Sequence, residues 1–191
     1  VLQEIGQAED TQDDIIFDHI QSVAFSGQSL GRPILGDAKI VAKMPRGQIA
    51  GYQQSHYLAG DMVLVASGAV THAQVMELAE RHLAGIPAGR GARGNNHTAY
   101  HPGEKREERD LEQVHMILGL PGVAYDDKEF FAHSVLSNAL GGGMSSRLFQ
   151  EVRERRGLAY SIHSFSSSFR DGGLFGVYAG TGERQAEEVI E

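Results

Sequence analysis

The chain contains no cysteine, which removes disulfides, thiolate zinc sites and cysteine nucleophiles together. Stability must therefore come from packing. Positive charge is also scarce. Against 17 Lys and Arg stand 25 Asp and Glu, a formal net charge of -8, so a broad electrostatic grip on nucleic acid or an anionic membrane is not expected. No apolar run approaches the roughly 20 residues of a membrane span, and Val1-Leu2-Gln3-Glu4 lacks the basic-then-apolar order of a signal peptide. What remains is an apolar fraction of 41% over 191 residues, enough to bury the core of one ordinary domain or two small ones.

Both ends have the pattern of helix interior. Val1 to Ala8 has no capping residue before it, and Arg184 to Glu191 starts an amphipathic helix without a stop signal, so the natural polypeptide is expected to continue in both directions. Ile15, Ile16, Phe17, Ile20, Val23 and Ala24 recur at helical spacing behind Thr11, predicting a helix to about Phe25. Gly27, Gly31, Pro33 and Gly36 punctuate a loop. Asp37 then suits the cap of a short helix over 38–42, Pro45 the first turn of a helix to about Tyr57, and Thr71 the cap of a helix carrying Val75, Leu78, Ala79 and Leu83. The valine-rich run from Met62 to Ala66 is expected to be a buried strand.

From Gly85 to His101 lie four glycines and almost no large apolar side chains, which marks a linker over 87–101. Beyond it, Val114 to Leu120 reads as a strand, Lys128 to Leu140 as a helix, Gly141-Gly142-Gly143 as a break and Met144 to Arg155 as a helix. Two strands, 158–169 and 173–179, flank Asp171-Gly172, a hairpin signal. The expected architecture is α+β: two consecutive modules with mixed or antiparallel sheets flanked by helices, both incomplete, over 1–86 and 102–191.

Nine histidines invite a search for metal or acid-base chemistry. Neither a Glu-His nor a His-Glu dipeptide occurs, so both the inverted and the standard zinc-peptidase helix motifs are missing from these residues. His97 and His101 have ligand-pair spacing but flank linker sequence, where solvated histidines are the simpler reading. His115, within an apolar strand, reads as a satisfied core or groove histidine. Gly141 to Gly143 lacks the Gly-Lys-Ser/Thr ending of a phosphate loop, and Ser145 and Ser146 lack the Gly-x-Ser-x-Gly context of a nucleophile.

Val1-Leu2-Gln3-Glu4-Ile5, the acidic residues Glu9, Asp10, Asp13 and Asp14, and Gly31-Arg32-Pro33-Ile34-Leu35-Gly36 resemble the middle of a pitrilysin/insulinase-type zinc peptidase, an inverzincin. The similarity is to the branch with mitochondrial processing peptidase and its bacterial relatives. Leu140-Gly141-Gly142-Gly143-Met144-Ser145-Ser146-Arg147-Leu148-Phe149 and Arg153 through Gly157-Leu158-Ala159-Tyr160-Ser161 resemble the second half of the same proteins, in continuous order.

The resemblance implies a zinc endopeptidase hydrolysing peptides or unfolded protein held extended in a closed chamber. It puts Glu4 at the third zinc ligand, downstream of a His-x-x-Glu-His segment that lies before Val1. It gives Arg153 and Tyr160 hydrogen bonding to substrate and oxyanion, and makes Gly141, Gly142 and Gly143 a substrate-side loop. It also implies Zn2+ in the full-length protein but none held by these residues alone. The expected assembly is a homodimer or paralogous heterodimer in a bacterial cytoplasm or periplasm. A non-catalytic partner or core subunit of the same family is the alternative.

Overall fold

The computed structural model describes residues 1–91 and 98–191. Their contacts group into two compact units, Val1–Ala38 with Asn96–Glu191 and Lys39–Asn95.

The larger unit is built on a three-stranded antiparallel sheet of β1 (Val114–Gly122), β2 (Ser161–Ser168) and β3 (Gly173–Thr181), in the order β1-β3-β2. The hairpin expected at Asp171-Gly172 joins β2 to β3, with Phe169 N donating to Gly172 O at 2.8 Å. Registers Ile117↔Tyr178 and His163↔Tyr178 fix the faces, because side chains alternate along a strand. Leu174 points to one face, where it packs with Ala24 and Phe25 and with Ile20, Leu30, Tyr100, Phe165 and Phe169. Ala179 points to the other, with Ala159 and Ile162 against Met116, Leu148, Val152, Val177 and Val189. β3 thus serves two cores at once. That explains its continuous apolar run, since a strand covered on both faces has no polar side.

The first face is covered by α2 (Gln12–Ala24), which α1 (Leu2–Asp10) precedes. Thr11 stands at the expected N-cap of α2, yet its hydroxyl donates backwards to Gln7 O at 2.8 Å and closes α1 instead. The second face carries α6 (Phe130–Gly141), a π-helical turn (Phe149–Arg155) and α7 (Ala186–Ile190). The helix expected from Met144 begins later, because the glycine triplet runs into turn residues through Ser146 and regular winding starts only at Arg147.

The smaller unit holds α4 (Arg46–His56) and α5 (His72–Leu83), preceded by α3 (Ala38–Ala42), which starts in the larger unit. Thr71 occupies its expected N-cap, whereas Pro45, expected in the first turn, stands at the N-cap just before it. Thr71 completes a capping box: its hydroxyl accepts from Gln74 N at 3.3 Å and its own N donates to Gln74 Oε1 at 2.8 Å. The expected strand over 62–66 is not formed. Val63 is 88% exposed and Val65 81%, and the run has no regular structure and no ladder. Valine content favours a pleated conformation, but a strand also needs a second backbone paired to it, and none is among the described residues.

The segment read as a linker is divided between the units. Pro87 O and Gly89 O accept from Ala59 N and Gly60 N at 2.9 Å in the smaller one. In the larger, His101 N donates to Ala24 O and the Tyr100 hydroxyl to Gly119 O, both at 2.8 Å.

Candidate functional site

Arg153 sits in the π-helical turn. The wider i to i-5 winding of that turn ends at Gly157, whose φ of +63° is the left-handed conformation glycine adopts without a Cβ penalty. Gly157 N donates to Arg153 O at 3.1 Å and Leu158 N to Val152 O at 2.9 Å, which turns the chain directly into β2. Leu158 and Ala159 are buried, and Thr181 Oγ1 donates to Leu158 O. Tyr160 is then fixed by its backbone, donating to Gly180 O at 2.8 Å, while its side chain stays 63% exposed. The phenol is therefore available to a ligand although its Cα is held in the sheet.

A purely surface role would pair Arg153 with neighbouring Glu151 or Glu154. Instead its guanidinium lies over the Phe149 ring, 4.8 Å from the centroid, and Glu151 is taken by Arg155 at 2.5 Å. An aromatic platform orients the planar cation while leaving its N–H groups unspent.

Gly141 and Gly142 have packing reasons to be glycine. A Cβ on Gly141 would stand 2.2 Å from Ser164 N, and one on Gly142 would stand 2.6 Å from Asn138 Cα. The first lets the end of α6 close onto β2, where Ser164 Oγ donates to Ser137 O at 2.6 Å. Gly143 differs: a Cβ there would meet nothing within 4 Å. Ser146 is buried and so has no access as a nucleophile.

Glu4 is exposed on α1. Among the described residues no three His, Asp or Glu side chains converge as metal ligands. One solvated carboxylate does not make a catalytic zinc site, which needs three protein ligands. His97 lies outside the described residues. His115 is satisfied as read, its Nδ1 hydrogen-bonded to the Tyr178 hydroxyl at 2.8 Å.

Sequence reasoning missed the aromatic cluster this bond belongs to. The His163 and Tyr178 rings are 4.9 Å apart, with Phe17 of α2 5.8 Å from Tyr178. Burial holds His163 below the usual histidine range and pushes the Tyr178 phenol up. The pairing of β1 and β2 with β3, and the packing of α2 on that face, bring these residues together.

Comparison with known proteins gives relatives by sequence and a matching fold by structure. An uncharacterized zinc protease of Streptomyces coelicolor is 41% identical over 199 residues, covering 100% of this chain and 43% of that protein. The uncharacterized zinc protease YmxG of Bacillus subtilis is 34% identical over 191 residues, covering 100% of this chain and 46% of that protein. The chain thus spans less than half the length of these curated relatives. In fold it is similar to the crystal structure of a peptidase M16 inactive domain from Pseudomonas fluorescens, with a TM-score of 0.85 and 22% identity over 99% of this chain and 46% of that one. A protease from Helicobacter pylori gives 0.82 and 18% over 99% and 48%. Residues 43–191 match the family described as the peptidase M16 inactive domain, and the chain belongs to that family.

Proposed function

We propose that this chain is part of a zinc-dependent endopeptidase acting on peptides held extended in a closed chamber, and that it supplies substrate-holding groups. The observations that carry this reading are a platform-held Arg153 before the turn at Gly157 and an exposed, backbone-anchored Tyr160 after it. Arg153 would hold peptide carbonyls before and during reaction, and Tyr160 would donate to the oxyanion of the tetrahedral intermediate. An extended peptide suits such a site, since backbone groups can be matched by adding a strand to a sheet edge. In this reading residues 1–86 end the metal-bearing domain, 87–101 link, and 102–191 begin the second. Glu4 is a zinc ligand of the full-length protein, and Gly141, Gly142 and Gly143 border the substrate. The Arg153 and Tyr160 pair serves the metal-bearing half of another module, in a homodimer or a paralogous heterodimer.

The test uses the full-length protein. Glu4→Gln should lose zinc and turnover together, because a neutral amide weakens the hold on the cation. Tyr160→Phe should keep zinc and lose turnover by about 10²- to 10³-fold. Full turnover in Tyr160→Phe, or full zinc in Glu4→Gln, would remove the corresponding assignment.

A second reading is favoured by the family's description as an inactive domain: a non-catalytic partner or core subunit that binds substrate and never binds metal. The residues encoded before Val1 separate the two. An intact His-x-x-Glu-His there supports the enzyme, and a degenerate one the scaffold.

A further inference from the structure

His19, Lys105 and Glu107 are far apart in sequence and joined in space. Lys105 Nζ lies 2.9 Å from His19 Nδ1, and His19 Nε2 lies 2.7 Å from Glu107 Oε2. An ammonium can only donate, so Nδ1 is the acceptor and Nε2 carries the proton given to Glu107. Glu107 is in turn held by Arg109, whose Nη2 is 2.6 Å from Oε1 and whose Nη1 donates to Glu9 O at 2.6 Å. The hydrogen bonds from Arg109 and then His19 hold the Glu107 carboxyl below the usual carboxylate range. The result is an amine, a base within hydrogen-bond reach of it, and a carboxylate that orients the base. This is the arrangement by which side-chain nucleophiles are activated. Lys105 also borders an open cavity whose apolar wall includes Ile5, Ala8, Ile15 and Leu35, which gives an aliphatic chain a place to lie.

We propose that Lys105 is a site of covalent acylation by activated acyl donors, with His19 as its base and Glu107 as the residue that positions His19. The Lys105 ammonium passes one proton to His19 Nδ1, and Glu107 stabilises the imidazolium formed. The freed amine attacks the acyl carbon. The N–C bond forms, the C–O bond to the leaving phosphate breaks, phosphate leaves with the electron pair, and the second proton goes to solvent. The product is a neutral amide that can no longer donate as a cation to His19, so acylation also loosens the hold of the 104–109 segment on α2.

The chain contains only four lysines, Lys39, Lys43, Lys105 and Lys128, and all four are exposed, so accessibility does not separate them. Lys128, 4.0 Å from Glu129, has no histidine partner and is the internal standard. The intact chain is treated with acetyl phosphate and the rate at each lysine is read by peptide mass spectrometry. Lys105 should react at least about tenfold faster than Lys128, a modest share of what a placed base contributes. Equal rates at the two in the unaltered chain overturn the proposal without any variant.

His19→Phe keeps a ring in the same place and should bring Lys105 to within about twofold of Lys128. A Lys105 excess that survives this substitution, with the Lys128 rate unchanged, also overturns it. Glu107→Gln tests orientation through the pH profile of the Lys105-to-Lys128 ratio. Asp18 on the same helix, Glu9 of α1, Lys105, Glu107 and Arg109 are the charged groups around His19, and only Glu107 touches Nε2. Gln removes the charge that stabilises the imidazolium formed in the transfer, so the pH profile of the ratio should differ from that of the unaltered chain. An unmoved profile refutes the positioning role.

Discussion

The glycine triplet offers a sharp test of whether packing or ligand binding explains its composition. Gly141→Ala puts a methyl 2.2 Å from Ser164 N, 2.7 Å from Ser164 Oγ and 2.9 Å from His163 C. Two of these atoms are backbone of a strand paired to the central β3, so relief requires α6 to move off β2. Overpacking of this kind costs about 1–3 kcal/mol, and alanine's better helix propensity returns no more than about 1. Gly143→Ala meets no atom within 4 Å and has no positive φ, so its cost should stay within about 0.5 kcal/mol. In a chain of this size each kcal/mol moves the melting temperature by about 2–4 °C. Thermal unfolding of the two variants, followed by far-ultraviolet circular dichroism, should therefore show Gly141→Ala melting several degrees lower and Gly143→Ala unchanged. If Gly141→Ala melted with Gly143→Ala, the close approach of α6 to β2 would not be what requires glycine at this position.

Thr71→Ala removes one half of the capping box and should cost about 1 kcal/mol, read as roughly fivefold faster hydrogen exchange of the α5 amides; unchanged exchange would show the box idle. Partial burial beside Phe17 and Tyr178 holds His163 below the ordinary histidine value. The unfolded chain therefore binds the extra proton below about 6.5, and stability should fall as pH drops through that value. His163→Phe should flatten this slope, and an equally steep slope would clear His163 of responsibility. Mixing a full-length metal-site variant with an Arg153→Ala/Tyr160→Phe variant should restore some activity through mixed dimers. Absence of restoration, with subunit exchange confirmed, would show that the pair does not act in trans.

The larger unit was mostly legible because its signals are local or periodic. The apolar run from Val114 to Leu120, Asp171-Gly172 at the hairpin, and the spacing from Ile15 to Ala24 each specify an element within a few residues. Met62 to Ala66 misled because a strand is a property of two backbones and residue type reports only one. The start of winding at Arg147 was missed because Gly141 to Gly143 was read as a sharp break, whereas the turn continues through Ser146. Arg153 and Tyr160 became candidates only through family resemblance; by pattern alone they are an exposed cation and an exposed phenol. His19 and Lys105 are 86 positions apart, and no periodicity links a helix face to an extended strap.

The exposed run at Val63, Leu64 and Val65 has a consequence of a different kinetic order from the rest of the molecule. The sheet is held by contacts within one chain, so its integrity does not change on dilution. The run presents unladdered backbone and apolar side chains together, with no charge or proline from Met62 to Val70 to blunt it. Where the backbone it meets belongs to another copy, the rate of meeting scales with the concentration of that copy. A lysine in place of Val63 or Val65 would make encounters between copies repulsive while leaving every contact of β1, β2 and β3 in place.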